Sequence, residues 1–141
     1  MDTLVQYGHA VVALAATTFF GLLVGPLTAV AKMTGGLQAG STPEQDYGNR
    51  LYRFNRAYLN LVETMGFFVA SVAAAILAGA SPYWVNLLAS VFFVSRLVLF
   101  AVHAAGIGPM NFGPRTFIYV VGWLCCLVMS VMAILAILSA A

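Results

Sequence analysis

Apolar runs long enough to cross a lipid bilayer fill most of this 141-residue sequence. Hydrophobic residues make up 62% of it and charged residues only 7%, whereas a soluble domain carries about 25% charged residues. A membrane-spanning helix needs about 20 residues, so the chain has room for four such helices and short connections. The sequence predicts an integral membrane protein, and its small net charge of +2 gives no sign of nucleic-acid binding.

The predicted fold is an all-α bundle of four transmembrane helices in a single domain over residues 1–141. The spans are placed at about residues 11–31, 54–80, 84–105 and 115–139. We expect the second helix to begin before the membrane, near Arg50. Gly21 and Gly25 have the spacing that permits a close helix crossing, and Pro114 stands where a first helical residue is favoured.

Basic residues are distributed unevenly among the predicted connections. Lys32 and Arg50 flank the first connection and Arg115 flanks the third, whereas the second connection has no lysine or arginine. Cytoplasmic loops carry an excess of these residues, so we place the first and third connections in the cytoplasm and both termini on the other side. In a bacterium this is the inner membrane. The amino terminus lacks the basic segment of a signal peptide, so we expect the first span to be retained.

Four polar side chains lead into the second span and should lie on one face of its helix. They are Arg53, Arg56, Asn60 and Glu63, at offsets of 0, 3, 7 and 10 residues. At about 100° per residue, these offsets fall within a sector of about 80°. A charged side chain inside a bilayer usually faces a bundle interior or a water-filled cavity, so this polar stripe is a candidate functional site.

Arg96 interrupts the third apolar run at a depth at which we expect it to meet Glu63. Such a pair either belongs to a ligand site or only fixes the register of two helices. His103 lies seven residues further on, and it either has a structural role or contacts a ligand. Cys125 and Cys126 are adjacent, which suits neither a disulfide nor a metal site, so we interpret them as packing or lipid-facing residues and predict no metal.

Arg115 lies in the first turn of the predicted fourth helix, directly after Pro114. Its guanidinium adds to the free N–H groups and positive dipole end of that helix, and together they favour an anion. If the anion is a thiolate, the same field lowers the pKa of the thiol and generates a nucleophile. Tyr119 shares this face and can donate a hydrogen bond to the same group. The alternatives are an interfacial anchor for Arg115 and an aromatic-belt position for Tyr119.

The order of these residues resembles the signature of the MAPEG family, the membrane-associated proteins of eicosanoid and glutathione metabolism. Two motifs carry the similarity, namely Arg53-x-x-Arg56-Ala57-x-x-Asn60-x-x-Glu63 on the second span and Arg96 followed by Arg115-x-x-x-Tyr119 on the third and fourth. The similarity extends over essentially the whole chain in its length, its number of spans and the order of its motifs.

The resemblance implies a homotrimer of four-helix subunits that binds glutathione between neighbouring subunits on the cytoplasmic side. Arg115 is then the catalytic residue, which stabilises the glutathione thiolate. The residues assigned to glutathione binding are Arg53, Arg56, Asn60, Glu63, Arg96, His103 and Tyr119. Glutathione offers two carboxylates, an ammonium and a thiol, which suit arginines, a glutamate and an arginine at a helix start.

The sequence departs from the family pattern at three positions. His103 stands where the eicosanoid synthases commonly have a tyrosine, and Leu99 stands where they have a histidine or tyrosine. Phe67 replaces a proline that often follows the glutamate. These differences favour a general glutathione transferase or peroxidase, acting on lipophilic electrophiles that enter from membrane lipid. The alternatives are a non-catalytic MAPEG-like scaffold, a glutathione-binding protein without catalysis, and a small-molecule transporter.

Overall fold

Four long helices make up the fold within residues 5–109 and 112–140, the part of the chain that the computed structural model describes. They are α1 (Gly8–Thr34), α2 (Arg50–Leu77), α3 (Pro82–Ala105) and α4 (Pro114–Ala140). Each is long and apolar enough to cross a membrane, so the predicted all-α, four-span fold is confirmed. Each helix overlaps one of the predicted spans.

The outer surface of the bundle is apolar. Large hydrophobic side chains such as Phe19, Phe67 and Leu138 are more than 60% exposed. The interior instead contains small residues and aromatic rings, among them Phe68 and Phe92, which stack with their ring centroids 3.9 Å apart. A soluble protein rarely presents so continuous an apolar surface to water, whereas lipid tails solvate it. The protein is therefore an integral, multi-pass membrane protein.

Helix α1 packs against α2 and α3, and α4 packs against the same two helices. Gly25 of α1 lies so close to Tyr58 of α2 that an added Cβ would stand 3.1 Å from the tyrosine hydroxyl. Gly21 meets the side chain of Met65 in the same way, at 3.4 Å. The close crossing predicted from these two glycines therefore lies between α1 and α2. In α4, Cys125 and Cys126 are buried packing residues.

Polar side chains close the end of the bundle at which α1 begins. The Tyr7 hydroxyl donates a hydrogen bond to the carbonyl of Ala80 at 2.6 Å. The Asn86 side chain accepts one from the N–H of Ala10 at 2.9 Å and donates one to the carbonyl of Gln6 at 2.7 Å. An N–H in the first turn of a helix has no intrahelical partner, so Asn86 completes the start of α1. We call this region the Tyr7–Asn86 end.

At the opposite end, which we call the pocket end, the first connection meets the end of α3 and the start of α4. Gly106 caps α3 in the left-handed conformation, with φ of 72°. A Cβ at this position would stand 2.8 Å from Nε of Arg53 on α2, so both the backbone and the space favour glycine. Met110 and Asn111, which belong to the connection between α3 and α4, lie outside the described residues.

Candidate functional site

A pocket of about 280 Å³ opens at the pocket end of the bundle. Its walls come from the first and third connections and from α2, α3 and α4. The lining residues are Tyr47, Arg56, Asn60, Glu63, His103, Pro109, Arg115, Thr116 and Tyr119. Two of the predicted site residues, Arg53 and Arg96, lie elsewhere, and the structure brings the others together in this one pocket.

Helix α2 contributes Arg56, Asn60 and Glu63 because intervals of three and four residues place side chains on one helix face. Nη1 of Arg56 donates to Oε1 of Glu63 at 2.7 Å, and the two side chains are 34% and 51% exposed. Asn60 lies between them and is buried. Among the described residues, its Oδ1 has no hydrogen-bond partner. The predicted polar stripe therefore provides one wall with an ion pair and an unpaired amide oxygen.

Arg115 is held in place by the turn that precedes α4. Its Nη2 donates to the carbonyls of Gly108, at 3.3 Å, and Pro109, at 2.5 Å. Its guanidinium carbon lies 4.7 Å from the centroid of the Tyr47 ring. The residue is only 7% exposed, and its Nη1 has no partner within the described part of the chain. Arg115 is thus fixed by contacts on two sides and keeps an unused donor.

His103 is the residue through which α3 lines the pocket. Its ring stacks with that of Tyr47 at a centroid distance of 6.5 Å and an angle of 28°. Its Nδ1 is buried and has no partner in residues 5–109 and 112–140. Together with Asn60 and Arg115, His103 brings three buried, unpaired polar atoms to one pocket. Such groups are rare and costly in folded proteins, so this cluster is typical of a site that a polar ligand completes.

Arg53 belongs to the polar stripe, but the structure places it outside the pocket. Its Nη1 donates to the carbonyls of Tyr47, at 2.7 Å, and Gly48, at 3.0 Å. Its Nε points to the carbonyl of Ala104 at 3.5 Å. Because Arg53 lies in the first turn of α2, it is level with the first connection, and the carbonyls of that connection take its N–H groups. Arg53 therefore ties the first connection to α2 and α3.

Arg96 also lies outside the pocket, between the rings of Phe92 and Tyr119. Its guanidinium carbon is 5.0 Å and 5.3 Å from their centroids, and the residue is 2% exposed. Nη2 donates to the carbonyls of Ile118, at 3.3 Å, and Tyr119, at 2.9 Å. Gly122 of α4 leaves room for it, since an added Cβ would collide with the guanidinium. Arg96 thus joins α3 to α4.

The expected meeting of Arg96 and Glu63 is wrong. Among the described residues, the only ion pair joins Glu63 to Arg56. A similar depth in the membrane does not bring two side chains together unless their helix faces also point toward each other. Arg96 points from α3 toward the carbonyls of α4, whereas Glu63 lies on the α2 face that lines the pocket.

Tyr47 is a pocket residue that the sequence analysis missed. It lies in the first connection, between α1 and α2, which contains mostly small and polar residues. The signal that could have identified Tyr47 is an aromatic residue that lies shortly before the polar stripe in the sequence. Pro109 and Thr116 were missed as well, although both lie near Arg115 in the chain.

Comparison with known proteins supports the similarity found in the sequence. No curated protein matches the chain. One protein-family model does, and it covers residues 8–135, a range that contains all the lining residues of the pocket. The predicted resemblance is thereby confirmed: the chain belongs to the MAPEG family, whose members are membrane-associated and act in glutathione and eicosanoid metabolism.

Proposed function

We propose that the protein is a glutathione transferase that activates glutathione as a thiolate for attack on lipophilic electrophiles, including peroxides. Membership of a family linked to glutathione supports this proposal. The observation that carries it is the cluster of buried polar atoms in the pocket: Nη1 of Arg115, Oδ1 of Asn60 and Nδ1 of His103 all lack partners within the described residues. A ligand with several polar groups would pair them.

The charges of the pocket suit glutathione. Arg56 can bind a carboxylate, and Glu63 can accept hydrogen bonds from an ammonium. Asn60 can pair with a peptide group of the ligand. The pocket holds about 280 Å³, just below the range of about 300 to 1,000 Å³ for ligand sites. This small size fits a site to which a second subunit adds a wall.

Arg115 provides the chemistry of activation. Its guanidinium lies beside the start of α4, where the helix dipole adds positive charge. This field favours the thiolate over the thiol and so lowers the pKa of a bound glutathione thiol. The sulfur then attacks an electrophilic carbon, an S–C bond forms, and the leaving group departs with the bonding electron pair. With a hydroperoxide, the sulfur attacks an oxygen instead, the O–O bond breaks and the alcohol leaves. A second glutathione then converts the glutathione sulfenic acid to the disulfide and water. Tyr119 can donate a hydrogen bond to the sulfur.

The proposed working unit is a homotrimer with glutathione bound between neighbouring subunits. Glu63 lies about 20 Å along α2 from Arg50, which places it at membrane depth. Yet the Arg56 and Glu63 side chains are 34% and 51% exposed in a single subunit. Charges that face lipid cost at least about 2.5 kcal/mol each, so covering this face with another copy is favourable.

We place the site on the cytoplasmic side, because Lys32, Arg50 and Arg115 flank the connections at this end.

The first experiment is a glutathione titration of the detergent-purified protein, followed by the ultraviolet absorbance of the thiolate. We expect a saturable signal in the wild type and a loss of about a hundredfold in thiolate formation in Arg115→Ala, as for other removed charge-stabilising groups. Arg50→Ala is the matched control because Arg50 is exposed and does not line the pocket. If the wild type does not bind physiological glutathione, the transferase is excluded and a membrane scaffold becomes the better interpretation.

A further inference from the structure

One aromatic ring from the first connection lies over two functional groups of the pocket. The Tyr47 ring centroid is 4.7 Å from the guanidinium carbon of Arg115 and 6.5 Å from the ring centroid of His103. Tyr47 is partly buried although it belongs to a loop between two membrane-spanning helices. The ring therefore connects the first connection to both α3 and α4.

The position of this ring is itself fixed. Arg53 holds the Tyr47 carbonyl at 2.7 Å, and the Tyr52 ring packs edge-on against the Tyr47 ring at a centroid distance of 5.2 Å. Directly after Tyr47, the N–H of Gly48 donates to Oδ1 of Asp46 at 2.7 Å, which shapes the turn. Backbone and ring contacts thus hold Tyr47 in place against Arg115.

Within the described residues, the groups that contact the Arg115 guanidinium are neutral. Two carbonyls accept from its Nη2 and the Tyr47 ring covers its guanidinium, while the nearby carboxylate of Glu63 is paired with Arg56. A carboxylate in the position of the ring would neutralise the arginine. An aromatic face instead orients the cation by its quadrupole and leaves the full positive charge available to an anion.

We infer that Tyr47 is a positioning residue that holds the Arg115 guanidinium in the orientation that stabilises a bound thiolate. This inference rests on the proposed function, because it concerns the same thiolate. The aromatic ring, and not the hydroxyl, is the part that acts. The orientation depends in turn on Arg53, which anchors the connection that carries the ring.

The test measures the thiolate absorbance of glutathione-saturated protein as a function of pH. We expect Tyr47→Leu to raise the midpoint of thiolate formation by about half to one pH unit, because the cation–π contact is lost. Tyr47→Phe keeps the ring and should retain the wild-type midpoint. Tyr83→Leu is the matched control, since Tyr83 is 68% exposed and does not line the pocket. If Tyr47→Leu does not fold, Tyr47→Gln repeats the test.

The outcomes separate this inference from the proposed function. A wild-type thiolate signal with an unchanged midpoint in the folded non-aromatic variant overturns the role of Tyr47 and leaves the transferase intact. Failure of Tyr47→Phe to restore the midpoint also overturns it, because the ring alone would then be insufficient. A wild type that forms no thiolate overturns both the proposed function and the inference. A purely structural role would lower the melting temperature without moving the midpoint.

Discussion

The two ends of the bundle treat polar groups in opposite ways. At the Tyr7–Asn86 end, the tyrosine hydroxyl and the asparagine amide pair with backbone groups at 2.6 to 2.9 Å. At the pocket end, Asn60, His103 and Arg115 each keep a buried polar atom without a partner in the described residues. An unpaired buried group costs about 1 to 3 kcal/mol. One end is therefore built for stability, and the other gives up stability that a ligand can restore.

This difference leads to a simple expectation about substitutions. Removing a paired polar group at the Tyr7–Asn86 end should lower the stability of the fold and leave glutathione binding unchanged. Removing an unpaired polar group should weaken binding and leave stability unchanged or higher, because functional sites commonly carry strain that the rest of the fold offsets. Arg96 and Asn55 test this comparison most severely. Nη1 of Arg96 and Oδ1 of Asn55 are buried and unpaired in the described residues, although neither residue lines the pocket.

We expect Gly122→Ala to show that Arg96 is a structural residue. The added Cβ would collide with the guanidinium of Arg96 and stand 2.7 Å from the hydroxyl of Ser95, so these two buried side chains must shift or α3 and α4 must separate. Overpacking of this kind should lower the free energy of unfolding by about 3 kcal/mol. The measurement is thermal unfolding in detergent, with glutathione affinity determined on the same sample.

Gly66→Ala is the matched control for this change, because a Cβ at Gly66 of α2 would meet no atom within 4 Å. It should preserve or raise stability, since alanine is the better helix former. Gly122 does not line the pocket, so glutathione affinity should change by less than about threefold in Gly122→Ala. A large loss of affinity without a loss of stability would place Arg96 in the ligand site and break the comparison between the two ends.

Asn86→Leu should destabilise the Tyr7–Asn86 end by about 2 kcal/mol. The change removes the hydrogen-bond partner of two backbone groups, the Ala10 N–H and the Gln6 carbonyl. Ala10 is fully buried and lies in the first turn of α1. Thermal unfolding measures the loss, and glutathione affinity should be unaffected. Ser90→Ala is a mild control on the same helix, because the Ser90 hydroxyl bonds only within α3. Equal melting temperatures for the two variants would contradict the structural role of Asn86.

The fold was predictable from the sequence because its signal is local. Long apolar runs are compatible only with spanning helices in lipid, where backbone groups must be paired within the segment. Helix ends followed from equally local features, such as Pro114 at the first position of α4 and Gly106 after α3. The face of α2 that carries Asn60 and Glu63 followed from the helical period.

The partners of individual side chains were less predictable. Periodicity gives the face of a helix, but it does not tell which neighbouring helix or loop that face meets. Arg53 and Arg96 both donate to backbone carbonyls that come close only in the folded bundle. Tyr47 reaches the pocket because the first connection folds back over it, and a loop path has no periodic signal. These are the positions where tertiary contacts decide the role of a residue.

Asn60→Leu applies the same side-chain change at the pocket end and should have the opposite outcome to Asn86→Leu. Leucine removes a buried oxygen that has no partner among the described residues, so the melting temperature should stay constant or rise. Glutathione affinity should fall about tenfold, equivalent to about 1.4 kcal/mol, because the ligand loses a polar contact. Isothermal titration measures the affinity on samples matched for folding. If Asn60→Leu lowers the melting temperature as much as Asn86→Leu and leaves affinity unchanged, then the unpaired oxygen serves the fold, and the two ends do not differ in purpose.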